Sequence, residues 1–169
     1  MSNGYEDFED LIKGLKKNGH LDEAAEALTG KVEEEETESR KTGEGVAPGY
    51  YDQLAKVYRK LKNREAETET LKRYLSQIKA IGSSPAAIYA RYLKVNEGID
   101  EKTLQEEIYK SYLSNIKSMN FDTVTRKCDE CGKKGEYPIP RTVKELDLGG
   151  FGACCPYCCI SSVIGLTQK

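Results

Sequence analysis

All six cysteines of this 169-residue chain stand in its last 42 positions, and they fall into two groups. Cys128-Asp129-Glu130-Cys131 is one C-x-x-C unit, and Cys155-Pro156-Tyr157-Cys158 is a second, with 23 residues between them. Two residues between thiolates let a tight turn aim both sulfurs at one ion. Paired units at this separation point to a tetrahedral site of four thiolates, zinc before other metals. Gly132, directly after Cys131, suits a turn residue with positive φ, and Pro156 stiffens the second turn. Four cysteines leave no open coordination position, so the expected role of the ion is structural rather than catalytic. An iron–sulfur cluster could take the same ligands; the short span favours zinc.

Cys154 and Cys159 flank the second unit directly, which leaves the ligand choice there open. Cys154 with Cys158, or Cys155 with Cys159, are conceivable. Cys155 and Cys158 are preferred, together with Cys128 and Cys131, because their two-residue spacing repeats that of the first unit. The expected place of the remaining two thiols is among small buried apolar side chains, with an oxidation-sensitive thiol beside the metal as the sharper alternative.

The paired units resemble a zinc ribbon, two knuckles carried on short β-hairpins. The resemblance implies that the metal replaces a core which some 50 residues could barely supply. Tyr137, Ile139 and Val143 are expected on strand surface, and Ile160 to Leu166 on a further strand. The letters of Cys155 to Cys158 are also those of a glutaredoxin active site. That chemistry needs a thiol of lowered pKa, usually at a helix N-terminus after a strand. In glutaredoxin-like proteins most of the domain follows the motif, whereas 11 residues follow Cys158 here. Thiol redox chemistry therefore stands behind the metal reading, and the chain is expected not to be an enzyme.

What must position these cysteines is a chain with 38% hydrophobic and 32% charged residues. A core then has to come from amphipathic helices rather than long apolar runs. The absence of Trp and the 11 Tyr fit amphipathic aromatic packing. The first ten residues carry neither a basic nor an apolar leader pattern, and no stretch approaches the roughly 18 apolar residues of a membrane span. The expectation is a cytoplasmic protein without membrane contact, its thiols kept reduced. Residues 1–50 carry an acidic excess of seven, residues 51–118 a basic excess of four, and residues 119–169 a basic excess of one. This balance offers little attraction to nucleic acid.

Residues 1–118 read as helices in pairs. Phe8, Leu11, Ile12 and Leu15 recur at three- and four-residue steps, and Asn18-Gly19 ends that run. Leu21, Ala24, Ala25 and Leu28 make a second run, continuing into EEEETESRK as a solvated, fraying extension. KTGEGVAPG (41–49) is a break. Tyr51, Leu54, Ala55, Tyr58 and Leu61 follow, then Leu71, Leu75 and Ile78 behind an Asn63 cap. A second break ends in Ser84 as cap and Pro85 at the first helical position. Ile88 to Leu93 and Leu104 to Ile116 supply two more helices.

The first two pairs resemble tetratricopeptide repeats. Phe8, Leu11, Leu15, Gly19, Leu21, Ala24 and Leu28 stand at the family's spacings, as do Tyr51, Leu54, Ala55, Tyr58 and Leu71. Ile12, Lys62, Arg64 and Glu67 depart from it, and the copies are offset by 43 residues rather than 34. The resemblance implies a scaffold that binds a protein or peptide partner. The fold expected is mainly α, antiparallel helical hairpins over residues 1–118 with a small β zinc ribbon over 119–169. Nucleic-acid binding through the ribbon is the alternative, with Lys133, Lys134 and Arg141 touching phosphates. The basic run from Lys56 to Arg73 holds Glu65, Glu67 and Glu69, so intrahelical pairing is expected there. His20 is expected at the surface.

Overall fold

Six helices carry the periodic pattern: α1 (Gly4–Lys17), α2 (Leu21–Thr42), α3 (Gly49–Lys60), α4 (Arg64–Leu75), α5 (Ala86–Val95) and α6 (Glu101–Lys117). The structure is a computed structural model that describes residues 4–80 and 82–166. Among them the chain is mainly helical, with a small C-terminal region of two antiparallel two-stranded sheets. Consecutive helices pack from α1 through α5, and α6 returns to α4. Within the described residues no helix is long and apolar enough to cross a membrane.

Local chemistry sets the helix ends. Gly19 takes φ +82°, so the His20 amide turns back to Leu15 O at 2.9 Å. The Asn63 side chain accepts the Ala66 amide at 3.0 Å, and Asp100 accepts that of Thr103 at 3.1 Å. Pro85, expected inside α5, stands one place earlier at its cap, where Ser84 was expected. The buried stripe of α1 runs through Ile12, while Leu11 is 52% exposed, so the inward face is narrower than the apolar pattern.

The acidic end of α2 is no fraying extension. The helix continues to Thr42, where Gly43 at φ +74° returns its amide to Ser39 O at 2.7 Å. Glu36 on this segment is only 6% exposed. It accepts Arg73 Nε at 2.7 Å and Nη2 at 2.8 Å, the Tyr51 hydroxyl at 3.0 Å and Gln77 Nε2 at 3.1 Å. A carboxylate out of water needs such full pairing. A second buried acid, Glu67 of α4, accepts Arg59 of α3 at 2.7 Å and Arg91 of α5 at 3.2 Å; Arg91 also reaches Asp52 at 2.8 Å. The basic run therefore pairs largely between helices, not within them. These ion pairs join the helices around an apolar core that includes Ile12, Leu28, Val32, Leu54, Leu71, Leu75 and Ile108.

The break after α2 is a paired segment. Val46 forms a parallel bridge with Lys79, its amide donating to Ile78 O at 2.8 Å and its carbonyl accepting the Ala80 amide at 3.0 Å. Gly45 has φ +86°, and a Cβ there would lie 2.5 Å from the Lys79 carbonyl carbon. Only glycine lets the two strands of backbone meet so closely.

Beyond α6, β1 (Thr123–Lys127) pairs with β2 (Lys134–Pro138) from Thr123↔Pro138 to Lys127↔Lys134. A short α7 (Arg141–Glu145) follows, and β3 (Gly150–Cys154) pairs with β4 (Ser161–Gly165) from Gly150↔Gly165 to Cys154↔Ser161. Val143, expected on a strand, lies on α7 behind Pro140. It packs with Tyr137, Phe151 and Ile164 in a second, much smaller buried cluster.

Removing the Glu36 carboxylate leaves a fork and a hydroxyl without their shared acceptor. Glu36→Ala is expected to lower the unfolding free energy by about 3 kcal/mol, measured by urea denaturation followed through far-UV circular dichroism. Substituting a surface acid of the same run, Glu34→Ala, is expected to change it by less than about 0.5 kcal/mol.

Candidate metal centre

The two C-x-x-C units form the connecting loops of the two hairpins, and the loops share one backbone pattern. In the first, the Cys128 amide donates to Lys133 O at 2.9 Å and the Gly132 amide returns to Cys128 O at 2.9 Å. In the second, the Cys155 amide donates to Ile160 O at 2.9 Å and the Cys159 amide returns to Cys155 O at 3.0 Å. Each loop thus closes on the same two bonds, five and four residues ahead of its first cysteine. The position four residues on is left-handed in both, at φ +71° for Gly132 and +60° for Cys159.

These loops bring together the sulfurs of Cys128, Cys131, Cys155 and Cys158, all within 4.8 Å of one another. Cys128 Sγ lies 3.7 Å from Cys158 Sγ, and Cys131 Sγ lies 3.7 Å from Cys155 Sγ. The close pairs run between the loops, so each loop supplies one member of each pair. Four thiolates around a zinc ion at about 2.3 Å define a tetrahedron whose edges measure about 3.8 Å. The donor set and these separations fit such an ion. At 3.7 Å the sulfurs are far outside the roughly 2.05 Å of a disulfide, so these four cysteines are unbridged thiols. Neither Cys154 nor Cys159 belongs to the cluster.

The electrostatics of the second unit do not suit a nucleophile. Burial pushes the Cys155 thiol up to about 11, against the lowering effect of the Cys158 and Tyr157 amides. Cys158 is raised further, again chiefly by burial. At Cys128 burial also acts upward, but the backbone amides of Cys131 and Glu130 and the neighbouring thiols outweigh it, and the net shift is downward. The Tyr157 amide points at Cys155 Sγ from 3.4 Å. The second unit lies between two strands and starts no helix, so it lacks the helix N-terminus that lowers a redox thiol's pKa.

The side chains around the cluster tie it to α6. The Tyr157 ring packs 4.1 Å from that of Tyr109, and the Tyr112 hydroxyl donates to Glu136 O at 2.8 Å. Lys133, expected as a phosphate contact, donates to Gln105 Oε1 at 3.0 Å with its ammonium 4.6 Å from the Tyr157 ring centre. Lys134 is exposed opposite Lys127 in the first hairpin, and Arg141 is exposed on α7, 4.0 Å from Glu145. His20 is at the surface beside Glu23, at 2.7 Å.

Sequence reading passed over one residue here altogether, Lys79, which is buried beside the second loop. Nothing in its local sequence sets it apart from the chain's other lysines. Cys159, by contrast, was expected among buried side chains, and it is found there, packed into the core of the helices.

Comparison with family models, with curated proteins and with solved structures gives no match.

An ion held by these sulfurs must displace their protons. With the Cys155 and Cys158 thiols held protonated near neutrality by burial, apparent affinity is expected to rise by at least on the order of 100-fold per pH unit between pH 6 and 7. Competition against a chromophoric chelator at the two pH values measures it. A pH-independent affinity would exclude thiolate ligation.

Proposed function

We propose that this protein is a non-catalytic, zinc-binding adaptor. Its C-terminal region would be held folded by one zinc ion on Cys128, Cys131, Cys155 and Cys158, and its helices would engage a protein or peptide partner. The observation that carries the reading is the four-sulfur cluster, with its two 3.7 Å edges assembled from two matching loops. Its thiols supply four soft anionic ligands and no open position. Bound there, zinc would neutralise part of the thiolate charge and cross-link two hairpins whose shared core is small.

The adaptor half rests on the helical pairs. α1 packs on α2 and α3 on α4, with Tyr51, Leu54 and Ala55 buried; a tetratricopeptide-like array would use such pairs to present a surface to its partner. A cytoplasmic location would keep all six thiols reduced and available. Phosphate contact through Lys133, Lys134 and Arg141 is the less favoured use of this region, because Lys133 already spends its ammonium on Gln105 and Tyr157.

Metal analysis tests the reading. The purified chain is expected to carry one zinc, lost when Cys128, Cys131, Cys155 or Cys158 is individually replaced by Ser. Chelation is expected to open residues 119–169 to protease while the helices keep their circular dichroism. Retention of zinc in Cys155→Ser with loss in Cys154→Ser would overturn the ligand set. Binding to DNA or RNA that weakens steeply with salt would move the function to nucleic acid.

A further inference from the structure

Lys79 lies just past the end of α4 and is only 4% exposed. Its ammonium donates to Leu75 O and lies 6.0 Å from the ring centres of both Tyr74 and Tyr112. Among the described residues no carboxylate pairs with it, although both buried acids of the helices, Glu36 and Glu67, are matched with arginines. One carbonyl and two ring faces at 6.0 Å are poor compensation for a charge removed from water. The anionic groups in its reach are the thiols of Cys159, Cys154 and Cys155; burial lowers its pKa, and those thiols, when ionised, oppose that.

Cys159 of the second loop enters the helical core that also holds Tyr74, one of the rings beside this ammonium. At the left-handed position where the first loop has Gly132, the second has Cys159. A side chain there costs on the order of 1 kcal/mol. That side chain is 5% exposed and packs with the helices. From the other side, the Gly43–Pro48 segment closes over Lys79 through the Val46 bridge and the tight approach of Gly45.

We propose that Lys79 is the counter-cation of the metal-loaded centre, so that metal uptake fastens the second loop onto the helices. This rests on the metal reading above. Four thiolates around a divalent ion carry a net charge of −2. The loaded centre is therefore an anion, partly buried, close to a buried ammonium with which no carboxylate pairs among the described residues. Lys79 is a positioning residue: it touches no metal, but its charge makes the loaded state cheaper to bury against the helices than the metal-free one.

Lys79→Met keeps the length and removes the charge. Against a chromophoric chelator, this variant is expected to hold zinc at least tenfold more weakly than the wild type. With cobalt(II) as probe, its thiolate-to-metal absorption band is expected to move to longer wavelength, since the thiolates lose a neighbouring positive charge. A loss of packing alone would not shift that band. If Lys79→Met does not fold, hydrogen exchange on the wild-type chain decides: slower exchange at residues 76–80 on zinc loading supports the proposal, and unchanged exchange overturns it. One ion per chain in both proteins, with equal affinity and an unshifted band, overturns the role of Lys79 and leaves the metal site standing. A wild-type chain that takes up neither zinc nor cobalt overturns both readings.

Discussion

Two short loops closed by the same pair of backbone hydrogen bonds are what the C-terminal half of this structure depends on. The bonds fix where each loop's two sulfurs point, and the two loops face each other so that four thiols share one small volume. Everything around them is too slight to impose that arrangement: two two-stranded sheets, one turn and a half of helix, and a buried cluster built on Tyr137, Val143, Phe151 and Ile164. Isolated hairpins of this size are marginal in water. A tetrathiolate ion is the kind of cross-link that would convert such a scaffold into a stable one, which is the physical case for reading the cluster as a metal centre.

The helical half solves a related problem by different means. With few long apolar runs, it buries carboxylates and satisfies them with forks from neighbouring helices. Glu36 ties α2 to α3 and α4 through Tyr51 and Arg73, and Glu67 ties α4 to α3 and α5. Such networks contribute little when complete compared with apolar packing, but they tolerate few errors, because each partner left alone is a charge or donor in low dielectric. They select one arrangement of helices among the several that a generic amphipathic pattern would permit.

The two halves meet at Lys79. The loop after α2, the end of α4, the Tyr112 ring of α6 and the second cysteine loop all reach the vicinity of this side chain. Cys159 belongs to one of the cysteine loops by its backbone and to the helical core by its side chain. The place where a strained backbone angle and a buried ammonium coincide is thus also where the cysteine-rich region is anchored.

Periodicity made the six helices readable, and the caps at Asn63 and the turn at Gly19 could be named from residue type alone, because those interactions are local in sequence. The spacing of Cys128, Cys131, Cys155 and Cys158 made their convergence an expectation for the same reason: a two-residue gap constrains a turn wherever it occurs. Long-range pairing was not legible in this way. The EEEETE run looked solvated because its partner, Arg73, stands 37 positions away, and the Lys56 to Arg73 stretch looked paired within its helices, whereas Arg59 meets Glu67 across the α3–α4 turn and Arg73 leaves for Glu36. Leu11 and Ile12 were equally apolar, and only packing decided that Ile12 faces inward. So the sequence by itself determined the six amphipathic helices and the four-thiol motif, through turn chemistry and periodicity acting over a few residues, while Val143 on α7 was not among its readings. The tertiary structure alone decided which charges are buried together and that Lys79 lies beside the cysteine loop. Desolvation depends on what surrounds a side chain in space, and sequence neighbours do not record it.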